Sequence, residues 1–207
     1  MRAMMGRIYL IRHGETVWNR QGRLQGQLDS PLTLTGVRQA EGHGRKLGAL
    51  LGPTALPVIA SPLGRTRQTA AIICDTAGLP YEAVQFDERL MEITLGEHDG
   101  YHGWMALDRD FPEHAVARQA NPWHYQHPGG ESTEMVRERL IPVLDELRGA
   151  ETPHIVIAHG VVNKIMRGIY LGLSEEDCFA LDRPQHGFHV LEDGIEEFVL
   201  SMPLESA

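Results

Sequence analysis

The sequence predicts an α/β fold with a mostly parallel sheet, because short apolar runs alternate along the chain with longer amphipathic segments. The chain has 207 residues, which is enough for one hydrophobic core. Its apolar content of 42% and charged content of 23% are typical of a globular protein. We therefore expect one domain that spans residues 1–207.

The apolar runs predict five strands, at 7–12, 57–60, 154–158, 187–191 and 196–201. The amphipathic segments predict helices at 35–51, 63–77, 132–148 and 161–171, with a shorter helix near 102–110. Thr35 is the expected N-cap of the first helix, and Gly78 ends the second. Pro142 is expected to interrupt or kink the third helix, because proline lacks the backbone N–H.

Segment 96–130 differs from the rest of the chain, because it is rich in His, Trp, Tyr, Asp and Pro and has little periodicity. We expect an insertion that lies over the ligand-binding edge of the sheet. Trp104, Trp123 and Tyr125 either form an apolar lid over a substrate or pack the insertion onto the domain. The sequence leaves both readings open.

A net charge of −9 argues against a general nucleic-acid binder, although a few arginines can still form a local positive pocket for an anion. The two cysteines, Cys74 and Cys178, lie far apart and suggest neither a disulfide nor a thiolate metal site. The eleven histidines include the pairs 98/102 and 124/127, but no clustered carboxylates or cysteines accompany them. We expect no metal and no cofactor.

Residues 1–6 lack the apolar core of a signal peptide, and no window reaches the length of a transmembrane helix. The expectation is a soluble cytoplasmic protein without a membrane partner. Both a monomer and a homodimer are compatible with the sequence.

Polar side chains follow three of the predicted strands. Arg12 and His13 end the first strand, Arg65 comes shortly after the second, and His159 follows the strand at 154–158. Because the carboxyl ends of parallel strands meet at one edge of a sheet, we expect these groups to lie together. Two arginines and two histidines suit a phosphate, since the planar arginine fork matches phosphate geometry.

Six motifs reinforce this expectation through their order and spacing. They are LIRHGETVWN at 10–19, RLQGQLDSPLT at 23–33, SPLGRTRQTA at 61–70, DERLMEI at 87–93, GGES at 129–132 and AHG at 158–160. With these motifs the chain resembles the histidine phosphatase superfamily, the clan of cofactor-dependent phosphoglycerate mutases and their phosphatase relatives. The resemblance implies a three-layer α/β/α sandwich, with segment 96–130 as a cap over the active site.

The resemblance also implies roles for single residues. His13 corresponds to the nucleophile that accepts the phosphoryl group, while Arg12, Arg65 and His159 correspond to groups that hold its oxygens. Neighbouring cations lower the pKa of a histidine and so keep it neutral and nucleophilic. Gly14 is expected to permit a sharp turn beside the nucleophile. The positions expected to bind substrate are Thr16, Asn19, Gln25, Gly26 and Gly160, with Arg67 either a substrate contact or a structural ion pair.

A proton donor must protonate the leaving oxygen. The family's arginine-leucine-x-glutamate pattern aligns with residues 89–92 and selects Glu92, leaving Glu88 as a surface or salt-bridging residue. Glu131 either faces the pocket or belongs to a helix start at which Ser132 is the N-cap. After Pro184 the family pattern has an asparagine, whereas this chain has Gln185, which puts substrate contacts from that strand in doubt.

The resulting prediction is a metal-independent phosphatase that acts on a small phosphorylated metabolite. The first alternative is a phosphoglycerate mutase, which must protect its phosphohistidine from water. Dedicated mutases of the clan carry extra segments, so the short chain favours hydrolysis. The second alternative is a non-catalytic scaffold that binds a phosphorylated partner; it is disfavoured because His13, the arginines and Glu92 are all present.

Overall fold

The computed structural model describes residues 6–201. Its strands are β1 (Ile8–Arg12), β2 (Val58–Ala60), β3 (Gln85–Phe86), β4 (His154–Ala158), β5 (Gly187–Glu192) and β6 (Ile195–Leu200). They form one six-stranded sheet in the order β3-β2-β4-β1-β5-β6. The first four strands are parallel to one another, whereas β5 is antiparallel to β1 and β6 is antiparallel to β5. The predicted mostly parallel α/β fold is therefore confirmed.

Helices cover both faces of this sheet. They are α1 (Val17–Arg20), α2 (Leu34–Leu51), α3 (Gly64–Ala77), α4 (Trp104–Asp110), α5 (Pro112–Ala120), α6 (Thr133–Gly149), α7 (Gly160–Leu171) and α8 (Glu175–Ala180). Short 3-10 turns lie at Tyr81–Ala83, Glu88–Leu90 and Gly96–His98. Helices α4 and α5 belong to the segment between β3 and α6 that was expected to form a cap. No helix of residues 6–201 is long and apolar enough to cross a membrane.

Alternating side chains of β1 supply two separate apolar clusters. Ile8 and Leu10 belong to the cluster that contains the buried faces of α6 and α7. Tyr9 and Ile11 belong to the cluster formed with α2 and α3. A strand covered by helices on both faces is apolar at every position, which is why 8–11 form a continuous apolar run. The result is the three-layer arrangement.

Two details of the helices differ from the sequence prediction. The N-cap of α2 is Thr33 and not Thr35, because the extended Thr33 accepts a hydrogen bond from the Gly36 amide at 3.0 Å. Helix α6 continues through Pro142 to Gly149. Its buried face, which includes Leu140 and Val143, holds the helix against the sheet despite the missing backbone donor.

Several elements were absent from the sequence prediction. Strand β3 has two residues, α1 has four and α8 has six, so none of them is long enough to show a period. Helix α5 begins with Pro112 at its first position, a common helix start that the irregular composition around it concealed.

Candidate active site

The carboxyl ends of three adjacent parallel strands form one edge of the sheet. Strand β4 lies between β1 and β2, with Arg12 opposite Ala158 and Ala60 opposite Ile157. The residues that follow these pairs are therefore neighbours in space. A cavity of about 140 Å³ opens there. Among the expected site residues, those that line it are Arg12, His13, Asn19, Gln25, Gly26, Arg65, Glu92 and Gly160.

His13 lies at the base of this cavity with only 2% of its surface exposed. Its Nδ1 is 2.8 Å from the carbonyl oxygen of Gly14. A carbonyl only accepts, so Nδ1 carries the proton and the lone pair remains on Nε2. Burial, followed by the charges of Arg65 and Arg12, holds the pKa of His13 well below its usual 6.5. The ring is consequently neutral at pH 7 and oriented as a nucleophile.

Arg65 is almost completely buried at the start of α3. Its Nη2 donates to the Gly26 carbonyl and its Nη1 to the Leu28 carbonyl, both at 2.7 Å. Nη1 also forms an ion pair with Asp29 at 3.1 Å. These contacts hold the guanidinium in one orientation against the 26–29 loop while it still lines the cavity.

His159 lies next to His13, as expected, with 5.3 Å between the two ring centroids. It is fully buried and is not among the residues that line the cavity. Its Nδ1 accepts from Nε of Arg65 at 3.2 Å, so Nε2 is the protonated nitrogen and donates to Ser61 Oγ at 2.7 Å. Burial, with Arg65 and His13, holds its pKa well below 6.5. In this structure His159 orients Arg65.

Arg12 contacts a residue that the sequence analysis did not single out. Its Nη1 donates to the carbonyl of Arg183, and its Nε is buried with no hydrogen-bond partner among residues 6–201. Burial, together with Arg183 and Arg65, lowers the pKa of Arg12 to about 10. An anion bound next to Arg12 would offset the unfavourable free energy of its buried positive charge. Arg183 lines the cavity as well. No motif or period around it, next to Pro184, marks it in the sequence as a site residue.

Glu92 lines the same cavity and lies at the N-terminus of α7. Its Oε2 accepts from the Val161 amide at 3.2 Å, and its Oε1 accepts from the Val162 amide at 3.4 Å. Its own neighbour, the Ile93 amide, donates to Oε1 at 3.0 Å. Free amides at a helix start favour a carboxyl group there. Of the two glutamates, Glu92 lines the cavity, whereas Glu88 is exposed on a 3-10 turn outside it.

The expected substrate-binding positions divide into two groups. Thr16 is fully buried, does not line the cavity, and forms a capping box with Asn19 at the start of α1. Asn19 lines the cavity in addition to this capping. The Oε1 atom of Gln25 is buried with no hydrogen-bond partner among residues 6–201.

Two glycines that line the cavity are closely approached by other side chains. Gly26 has a φ of +51°, and a Cβ there would overlap the Asp99 carboxylate. A Cβ on Gly160 would approach Nε of Arg12 to 3.2 Å. Gly14 has a different function from the expected turn: a Cβ there would lie 2.3 Å from the Gly36 carbonyl oxygen. Gly14 therefore permits the close approach of two backbone segments.

The structure shows the contacts of three other residues whose roles the sequence left open. Glu131 pairs with Arg139 at 2.8 Å, while Ser132 caps α6 through the Met135 amide. Arg67 is stacked over the Phe86 ring at 3.8 Å, outside the cavity. Gln185, found where the family pattern has asparagine, donates to the His13 carbonyl at 2.8 Å. It therefore supports the backbone of His13.

The histidines of the cap form aromatic contacts. His98 lies 5.3 Å from His114 and 5.8 Å from His127 between ring centroids. Across residues 6–201, no group of three or more His, Cys, Asp or Glu side chains is arranged to hold a metal ion. Cys74 and Cys178 are both buried free thiols.

Known proteins resemble this chain in sequence. A family model described as the histidine phosphatase superfamily (branch 1) matches residues 8–202. The chain is 37% identical over 172 residues to the probable phosphoglycerate mutase GpmB of Klebsiella pneumoniae strain 342, covering 82% of this chain and 76% of that protein. The corresponding protein of Yersinia pestis strain Pestoides F is 33% identical over 181 residues, with the same coverage.

Two solved structures resemble the whole fold. One is a putative alpha-ribazole-5'-P phosphatase from Escherichia coli, with a TM-score of 0.76 and 25% identity, covering 96% of this chain and 98% of that one. The other is a mycobacterial glucosyl-3-phosphoglycerate phosphatase in complex with VO3, with a TM-score of 0.74 and 27% identity, covering 95% and 98%.

Proposed function

The chain belongs to the histidine phosphatase superfamily, and from that premise we propose that it is a metal-independent phosphatase acting on a small phosphomonoester through a phosphohistidine on His13. The observation that carries the proposal is the 2.8 Å bond between Nδ1 of His13 and the Gly14 carbonyl. It leaves Nε2 as the nucleophilic atom at the base of a cavity lined by Arg12 and Arg65. His159 contributes by holding Arg65 through Nδ1.

In the first step Nε2 of His13 attacks phosphorus, and the bond between phosphorus and the ester oxygen breaks. The electron pair of that bond goes to the leaving oxygen, which takes a proton from the carboxyl group of Glu92. Arg12, Arg65 and Arg183 surround the phosphoryl oxygens and offset their charge. The leaving alcohol departs neutral.

In the second step a water molecule attacks the phosphohistidine. Glu92, now a carboxylate, takes a proton from the water, the bond between phosphorus and Nε2 breaks, and its electron pair returns to the ring. Inorganic phosphate is released, and both side chains regain their starting protonation states. Asn19, Gln25, Gly26 and Gly160 line the space in which the phosphate is bound.

A phosphoglycerate mutase is the second candidate, because curated relatives at 33–37% identity carry that name with the qualifier "probable". The structural neighbours with named activities are phosphatases at 25–27% identity. Both reactions share the first step and differ in what accepts the phosphoryl group from His13. We favour water as the acceptor and a small phosphorylated metabolite as the donor.

The first test measures release of phosphate from p-nitrophenyl phosphate in EDTA. We expect turnover by the wild-type protein and a loss of about 1,000-fold or more in His13→Ala, since removal of a nucleophile abolishes the covalent route. The matched control is His124→Ala, an exposed histidine outside the cavity. Activity that survives in His13→Ala would exclude the phosphohistidine mechanism.

A second test separates the two candidates. The protein is incubated with 3-phosphoglycerate and a catalytic amount of its bisphosphate, and the products are resolved by phosphorus NMR. Inorganic phosphate as the main product supports the phosphatase. The 2-phosphate isomer formed faster than inorganic phosphate would establish the mutase instead.

A further inference from the structure

A second cavity, of about 260 Å³, adjoins the one at the sheet edge. The two cavities have five lining residues in common, which are Ile93, Leu95, Trp104, Val161 and Arg183. The second cavity extends between the cap segment and helices α7 and α8, and we call it the cap cavity. Because the cavities share these walls, a group esterified to a phosphate at His13 can extend into the cap cavity.

The walls of the cap cavity are mainly aromatic and aliphatic. Trp104 and Phe179 leave 40% and 38% of their surfaces exposed, although both line this concave space. Trp123 lies beneath them, only 5% exposed, and meets the Phe179 ring edge to face at 5.3 Å. Large aromatic surfaces left uncovered in a concave site are typical of ligand-binding walls.

The cations in this cavity already have partners, with one exception. Arg118 pairs with Asp108 at 2.6 Å and is stacked over the Trp104 ring at 4.3 Å. The Lys164 ammonium donates to the Phe179 carbonyl at 2.6 Å. Arg183, at the junction of the cavities, has no side-chain hydrogen bond or ion pair within residues 6–201. Its position suits the phosphate rather than the far end of the cap cavity.

We propose that the cap cavity binds the leaving group of the substrate, and that this group contains an apolar ring system held between Trp104 and Phe179. The proposal rests on the proposed function for the placement of the phosphate. The volume supports a ring larger than one benzene, since an apolar cavity of roughly 150 Å³ accommodates benzene and this one measures about 260 Å³. An occupant with a second anionic group is the alternative that the test below excludes or establishes.

The test compares two primary alkyl esters whose chemistry at phosphorus is alike, 2-naphthylmethyl phosphate and ethyl phosphate. We expect kcat/KM to favour the naphthylmethyl ester by about 10- to 200-fold, the range that differential apolar contact supplies. Trp104→Ala and Phe179→Ala should each reduce this preference by about 10-fold. The matched control is Met105→Ala, because Met105 neighbours Trp104 on α4 but is 90% exposed and outside both cavities.

Binding of the non-hydrolysable phosphonates makes the test independent of turnover. The dissociation constants of 2-naphthylmethylphosphonate and ethylphosphonate are measured by calorimetry for the wild type and the same three variants. If no ester is hydrolysed but the naphthyl phosphonate binds more tightly and loses its advantage in Trp104→Ala, the proposed function fails while the ring site stands. Equal affinities for the two phosphonates, or tighter binding of 3-phosphoglycerate than of the naphthyl compound, would overturn the ring site.

Discussion

The cavity at the sheet edge and the cap cavity share walls but are built in different ways. The first is formed by residues that follow β1, β2 and β4, and its side chains are held by backbone carbonyls and amides, as for His13, Arg65 and Glu92. The second is formed by aromatic rings of the cap that contact one another and α8. The backbone partners lie in the loops after β1 and α1 and at the start of α7, whereas the ring contacts are made between side chains. Our two proposals therefore assign the chemistry to the region held by backbone contacts and the selectivity to the region built from side-chain contacts.

The two regions also differ in how their positive charges are compensated. At the sheet edge, Arg12 has a buried Nε without a partner, and its pKa is lowered to about 10 by burial and by Arg183. In the cap cavity, Arg118 is already neutralised by Asp108. This difference is the basis of our proposals that an anion binds at the sheet edge and an apolar group beneath the cap. Substitutions at the sheet edge should affect all substrates, and substitutions in the cap should change only their ranking.

The largest effect that we predict here comes from Glu92→Gln. Loss of the proton donor should lower kcat/KM for ethyl phosphate by about 100- to 10,000-fold. The loss of kcat/KM should be far smaller for p-nitrophenyl phosphate, because its phenolate leaves without protonation. The measurement is kcat/KM for both esters, because kcat also contains the hydrolysis of the phosphohistidine, in which Glu92 is the base whichever ester was used. Glu88→Gln is the exposed control. Equal losses for the two esters would assign Glu92 a structural role instead.

Arg65→Lys should produce the next largest effect. The variant keeps the positive charge but loses the planar guanidinium that contacts Gly26, Leu28 and His159. We expect kcat/KM to fall by about 100-fold for both ethyl and naphthylmethyl phosphate, leaving the ratio of the two values unchanged. Arg67→Lys, two residues further along α3 and outside the cavity, is the control. A change in the ratio would show that the two regions are not separable.

The smallest effect concerns stability at acidic pH. Burial and the charge of His186 lower the pKa of His43 to about 4, and burial with His98 lowers that of His127 in the cap to about 4. Between pH 6.5 and 4 the unfolded chain binds these protons and the folded chain does not, so the free energy of unfolding falls as the pH falls. For His43 the loss is about 2 kcal/mol at pH 5.

Urea unfolding at pH 7 and pH 5 measures this loss. His43→Gln and His127→Gln should each reduce the difference between the two pH values, and the exposed His102→Gln should not. The His127 effect requires that the cap unfold together with the sheet. The hydrogen bond from the Glu134 amide of α6 to the Trp123 carbonyl of the cap supports this requirement. A pH difference unchanged in His127→Gln alone would show that the cap opens separately.

The sequence predicted most of the sheet and several of the residues that meet at its edge, because both depend on local signals. Continuous apolar runs identified β1 and β4, and the polar residues directly after them had to meet once the strands were parallel. The N-cap of α2 was predicted at Thr35, two residues after the true N-cap Thr33, because either threonine could cap the helix. The choice of Thr33 depends on an extended backbone that also bonds to the Glu15 carbonyl. Such a contact between distant segments has no local signal.

What could be known from the sequence was the class of fold, the family, and a set of residues able to bind a phosphate around His13. The folded chain added the position of His159 behind Arg65, the approach of Arg183 to Arg12, and the cap cavity. The physical reason is the range of the interactions. The ends of neighbouring strands are aligned by the regular backbone hydrogen bonds that occur in every parallel sheet. A cavity between Trp104 and Phe179 depends on how side chains 75 residues apart pack together, and no period or spacing in the chain encodes that.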